Sequence, residues 1–161
     1  MPGIDIDVVS DGPDNTGSPL SQSMLQLLRA SLPQAVMARD VDHMVRQIAT
    51  RLDRAPGGSR QIHRLRIYGH GIPGQVWVGS GRSQPWPSQI LGVDEGGLLL
   101  NDTDLRRIRG LFAADGFVTI HGCNYAFGTL GRKALNLVSA IWSVRAGCTR
   151  CGPCGSGCPV V

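Results

Sequence analysis

Long apolar runs are absent from this chain. No stretch approaches the ~20 apolar residues of a membrane-spanning helix, and no membrane partner is expected. Met1 to Ser10 carries Asp5 and Asp7 and lacks both a basic start and an apolar core. No signal peptide is therefore expected, and the default compartment is the cytoplasm. Aromatic residues are scarce, at 5%, and do not interleave with the arginines, which scatter from Arg46 to Arg109. With a net charge of only +4, those arginines read as solvated faces, and nucleic acid is not an expected partner. Internal repeats are missing too. Cysteine is absent until Cys123; the other four crowd the last fourteen residues.

What is present fits one globular domain. Apolar residues make up 42% and charged residues 17%, which excludes a disordered chain, and 161 residues can bury one real core. Ile4 to Val9 alternates with aspartates and reads as a strand. Leu20, Met24, Leu27, Leu28 and Leu32 recur at helical spacing up to Pro33. Ala35 to Ala38 reads as a short strand. Asp40 is a good N-cap for a helix with the stripe Val41, Met44, Val45, Ile48 and Leu52. Pro56-Gly57-Gly58 is a turn, and Ile62 to Tyr68 a strand. Val76 to Val78 follows as a short strand, then an irregular stretch from Ser80 to Gly97. Asn101 to Phe112 is expected to be a helix, Phe117 to Ile120 a strand, and about Phe127 to Ile141 a helix. Strands alternating with helices indicate an α/β fold with a mainly parallel sheet.

Two segments carry chemistry. Leu65 to Tyr68 runs into Gly69-His70-Gly71, and Phe117 to Ile120 runs into His121-Gly122-Cys123-Asn124. Each strand ends at a glycine-flanked reactive side chain, and in open parallel sheets ligands bind at the carboxyl ends of strands. A thiol and an imidazole on neighbouring strand ends are the minimum for a cysteine nucleophile with its base. His70 and Cys123 lie about 50 residues apart, a separation one right-handed crossover can close. Gly71 and Gly122 let the backbone approach a ligand, and the N–H groups near Gly71 and Cys123 are candidates for holding an oxyanion. Imidazole proximity, with the N-terminus of the following helix, would lower the thiol's pKa. Gly69 and Asn124 are auxiliary positions. His121, two residues from Cys123, is a rival base. The bland alternative makes Cys123 a buried small hydrophobe and His70 a turn residue.

With these residues the chain resembles the caspase-like clan of cysteine peptidases, clan CD, which includes caspases, gingipains, clostripain, separase and the CHAT domains. The pattern is a hydrophobic strand, His-Gly, a spacer, a second hydrophobic strand, then Ala or Gly before the Cys. More closely it is similar to a bacterial caspase-like domain of unassigned function found near the N-terminus of large, repeat-rich surface proteins. The resemblance spans roughly residues 4 to 141 and includes Pro73-Gly74, Trp77-Val78-Gly79-Ser80 and Gly122 to Gly128. It implies a three-layer sandwich with helices on both faces of the sheet over residues 1–145, His70 as general base or acid, Cys123 as nucleophile, and a peptide or protein substrate. The Gln-Ala-Cys-X-Gly segment of caspases is missing, so their substrate pocket is not carried over.

Residues 146–161 read as a Gly/Cys-rich tail. Cys148-X2-Cys151-X2-Cys154-X3-Cys158-Pro159 has the spacing of a bacterial ferredoxin run. Four thiolates so spaced can hold Zn²⁺ or an iron–sulfur cluster, or they can be a tail without ligand or paired in disulfides. Three functions follow: a cysteine peptidase needing no cofactor, a catalytically silent interaction module of a larger surface or secreted protein, or a metal-binding protein.

Overall fold

The computed structural model describes residues 3–11, 19–79 and 86–148. In chain order the elements begin with β1 (Ile4–Ser10), α1 (Pro19–Ser31), β2 (Val36–Ala38), α2 (Val41–Asp53) and β3 (Ile62–Tyr68). A hairpin and a third short strand follow: β4 (His70–Ile72), β5 (Gln75–Trp77) and β6 (Ile90–Gly92). The chain closes with α3 (Asp102–Arg106), β7 (Phe112–His121), α4 (Gly128–Trp142) and β8 (Arg145–Cys148). Five strands form one parallel sheet in the order β2-β1-β3-β7-β8, and β4-β5-β6 form a small antiparallel sheet.

The layers follow from the direction of each crossover. The chain steps from β1 out to β2, then works back through β3 and β7 to β8. Right-handed crossovers therefore put α1 on one face and α2, α3 and α4 on the other. Burial agrees. Val41, Met44, Val45, Ile48 and Leu52 of α2 and Ala134, Leu135, Val138 and Trp142 of α4 join Ile6, Val8, Leu65, Ile67, Val118 and Ile120 in one core. Val9 and Leu25 are buried outside that cluster, where α1 lies over β1. This is an α/β sandwich with helices on both sides of a parallel sheet.

Local sequence accounts for the element ends. Asp40 caps α2, accepting a bond from the His43 N–H at 2.6 Å, a contact worth about 1 kcal/mol. Each fully buried apolar side chain of the α2 stripe contributes about 1.5–3 kcal/mol over exposure. α4 stops at Ser143, in the left-handed region, and Trp142 locks it to α3 by donating from Nε1 to the Leu105 carbonyl at 2.8 Å.

The face under α1 is unusual. Asp5, Asp7, Arg64, Arg66, Tyr68, Phe117, Thr119, His121 and Arg145 alternate onto it. Parallel sheets are normally apolar on both faces; here ion pairs cross the strands instead. Arg66 Nε lies 2.6 Å from Asp7, and Asp5 takes His63 at 3.2 Å and Arg64 at 3.9 Å. Beyond β1, no described helix covers this face of β3, β7 and β8.

Three expectations need correction. The helix expected to reach Phe112 is cut to Asp102–Arg106: the chain goes on through a short 3-10 turn over Arg109–Leu111, because Phe112 is drawn into β7, where it pairs with Ile62 and packs on Trp142. The irregular stretch contains β6, which pairs with β5. The tail does not start at 146: Ala146, Gly147 and Cys148 belong to β8, whose Cys148 pairs with Ile120.

Candidate active site

The register of two adjacent strands builds the site. β3 and β7 run parallel with Tyr68 opposite His121, and Gly69 N–H donates to the His121 carbonyl at 3.2 Å. His70 follows two residues after Tyr68 and opens β4, and Cys123 follows two residues after His121, beyond the end of β7. Gly71 presses on the thiol's own backbone. A Cβ there would lie 2.8 Å from the Cys123 carbonyl oxygen and 2.9 Å from the Gly122 carbonyl carbon. Gly122 is packed in turn against Val76 and Gly71, and Gly69 against the Trp77 carbonyl. The three glycines are thus what lets the hairpin sit on the end of β7.

The hairpin also orients a donor. Val78 N–H donates to Gln89 and Val93 N–H to Gly74, which assigns residues 74, 76 and 78 of the β5 strand to β6. Gln75 and Trp77 therefore serve β4, and the intervening pair Gly71–Val76 is a non-bonded one. The Gly71 N–H consequently points away from β5. His70 is half-buried against the Trp77 indole, with ring centroids 6.2 Å apart.

Cys123 is a partly accessible thiol outside any disulfide. It opens a turn held by Tyr125 N–H to Gly122 carbonyl, 3.2 Å, and Phe127 N–H to Asn124 carbonyl, 2.8 Å. Asn124 takes φ 57°, a left-handed conformation that asparagine tolerates, and is exposed. α4 begins only at Gly128. Below the turn the Tyr125 ring is fully buried, and burial pushes its hydroxyl well above the ordinary range; Cys148 adds to the shift.

The rival base His121 is the last residue of β7. Its side chain lies on the polar face, stacked on Tyr68 at 4.2 Å and 17°. Burial holds its pKa below the ordinary value, helped by Arg66 and opposed by Asp7. Tyr68 in turn is hydrogen-bonded to Asp7, and burial raises its pKa. The group Asp7–Arg66–Tyr68–His121 forms a polar floor next to the candidate dyad. Sequence reading missed Asp7, Arg66, Tyr68 and Trp77. The available signal was charge alternation of opposite sign in β1 and β3.

Of the four late cysteines, Cys148 is in β8, while Cys151, Cys154 and Cys158 lie outside the described residues. Among the described residues no group of three or more His, Cys, Asp or Glu side chains is arranged to hold a metal ion. No helix among them is long and apolar enough to cross a membrane. Comparison with known proteins finds no matching family model, no matching curated protein and no matching solved structure.

Proposed function

We propose that this chain is a caspase-like cysteine peptidase domain that hydrolyses peptide bonds through a thioester on Cys123. The observation that carries the reading is the shared register of β3 and β7, with Gly71 packed on the Gly122–Cys123 peptide. His70 takes the thiol proton, and the thiolate sulfur bonds to the scissile carbonyl carbon. The Gly71 and Cys123 N–H groups hold the resulting oxyanion. The C–N bond then breaks, and His70 returns the proton to the leaving amine. Water, giving a proton to His70, attacks the thioester; the acid leaves and the Cys123 thiol is restored. His121 serves as neutral polar packing beside this centre rather than as its base.

The test is the pH dependence of Cys123 alkylation by iodoacetamide in the full chain, read at that residue by peptide mass spectrometry. The apparent thiol pKa is expected below the reference ~8.5 and to rise in His70→Ala but not in His121→Ala. An unreactive Cys123, or one indifferent to His70, overturns the reading. The interaction-module alternative then stands, favoured by the polar sheet face of β3, β7 and β8 that no described helix covers.

A further inference from the structure

A cleft of about 560 Å³ runs between the outer edge of β2 and one flank of α2, at the border of the sheet opposite β8. Its strand side has unspent backbone. Ser10 pairs with Ala38, and the Asp11 N–H donates to the Ala38 carbonyl at 2.8 Å, so Ala38 and Val36 direct their peptide groups to β1. Alternation turns the N–H and carbonyl of Met37 outward into the cleft, on an edge that no described strand pairs.

The helix side is polar and basic. His43, Gln47, Thr50 and Arg54 recur every three or four residues and, with Arg51 four after Gln47, form one stripe of α2, distinct from its buried apolar stripe. Arg39 closes the upper end. Asp11 is the single carboxylate among the described lining residues. The ion pairs of α2 lie on its other flank, where Asp42 holds Arg46 and Arg107. Arg51 donates to the Gln34 amide oxygen at 3.1 Å, a neutral partner that leaves its charge uncompensated.

We propose that this cleft binds an extended acidic peptide segment of a partner protein. The segment adds to β2 as a sixth strand through Met37 and sets its carboxylates against Arg51 and Arg54. From His43 to Arg54 the helix rises ~16 Å at ~1.5 Å per residue, which matches about five residues of strand at ~3.3 Å each. An added strand presents every second side chain to α2, so the fitting pattern is an acidic residue at alternate positions. Nucleic acid would engage the guanidinium groups but has no use for the Met37 edge. This reading does not depend on the chemistry of Cys123.

The probe is a fluorescein-labelled Glu-Val-Glu-Val-Glu amide, titrated with the full chain by fluorescence polarisation. Its Lys-Val-Lys-Val-Lys counterpart and a version N-methylated at both valines are titrated beside it. The acidic peptide is expected to bind about tenfold tighter than either, and Arg51→Glu/Arg54→Glu to lose about tenfold, the worth of two exposed ion pairs. The same double variant is expected to gain affinity for the lysine peptide, which shows that it folds and that the contact is charge-paired. Arg51→Gln/Arg54→Gln, which should weaken the acidic peptide and bind the lysine peptide no more weakly than the parent does, replaces it if charge reversal prevents folding. Equal binding of acidic and basic peptides, or indifference to both double variants, overturns the proposal. So does an N-methylated peptide that binds as tightly as the parent while single-stranded DNA competes it away, an outcome that assigns the cleft to polyanions.

Discussion

Replacing Gly71 by alanine tests whether the hairpin truly rests on the thiol's turn. The added Cβ would stand 2.8, 2.9 and 3.0 Å from three backbone atoms of Gly122 and Cys123. Carbon–carbon contacts are comfortable only at about 3.5–4.0 Å, and backbone cannot rotate out of the way. β4 or the turn must therefore shift by roughly half an ångström or more, a strain that overpacked sites register as about 1–3 kcal/mol. For a chain of this size about 1 kcal/mol moves Tm by ~2–4 °C, so Gly71→Ala is expected to melt roughly 2–12 °C lower. The same shift moves the thiol relative to His70, and the rate of Cys123 alkylation at neutral pH should change with it. Gly110 provides the control: nothing lies within 4 Å of its Cβ position and its φ is not positive, so Gly110→Ala should stay within about 0.5 kcal/mol of the parent. Gly122→Ala should fall between the two, because its nearest neighbour is the Val76 side chain. Thermal melts and site-resolved alkylation read the series. A Gly71→Ala protein that melts within 1 °C of the parent and alkylates at the same rate refutes the packing argument.

Two further predictions concern the frame around the site. Ser10 is buried and its Oγ accepts from the Gly79 N–H at 2.8 Å, so Ser10→Ala orphans a buried donor and should cost about 1–3 kcal/mol in a urea melt. His121 has its pKa held below the unfolded value, so the unfolded chain binds its proton first as pH falls. Its contribution is neutral above about pH 6.5 and becomes destabilising as pH drops from there through the folded pKa. His121→Asn should flatten that part of the stability–pH curve; an unchanged slope would show that the burial of the imidazole is not felt.

Much of this arrangement was legible in advance, and the limits are physical. The α2 stripe was readable because five apolar residues at helical spacing followed a side chain able to cap the first turn. β3 and β7 were readable as apolar runs leading to glycine, and β1 as an alternation of apolar residues with aspartates. That β3 and β7 lie side by side, so that their carboxyl ends adjoin, was readable only as a consequence of crossover handedness. The polar floor was not foreseen, since Asp7, Arg66 and Tyr68 acquire meaning only once β1 and β3 are paired in register. β4 and β6, three residues each, are too short to show a period. Glycine and cysteine masked β8, whose last three residues, Ala146 to Cys148, read as part of the tail. Leu105, Ile108 and Leu111 keep helical spacing past the end of α3, because the 3-10 turn over Arg109–Leu111 continues the helical sense there.

His70 and Cys123 do not belong to the same sheet. The thiol follows a strand of the five-stranded parallel sheet, while the imidazole is the first residue of the small antiparallel one. Gly69 is the one-residue link from β3 to β4, and its close approach to the Trp77 carbonyl leaves it no room for a side chain. The separation of sulfur and imidazole is therefore a mechanical quantity, set by how one sheet is seated on the other. β6 pairs with β5, whose Val76 packs on Gly122, so a group that reseats the small sheet would bear on the turn that carries the thiol without touching it.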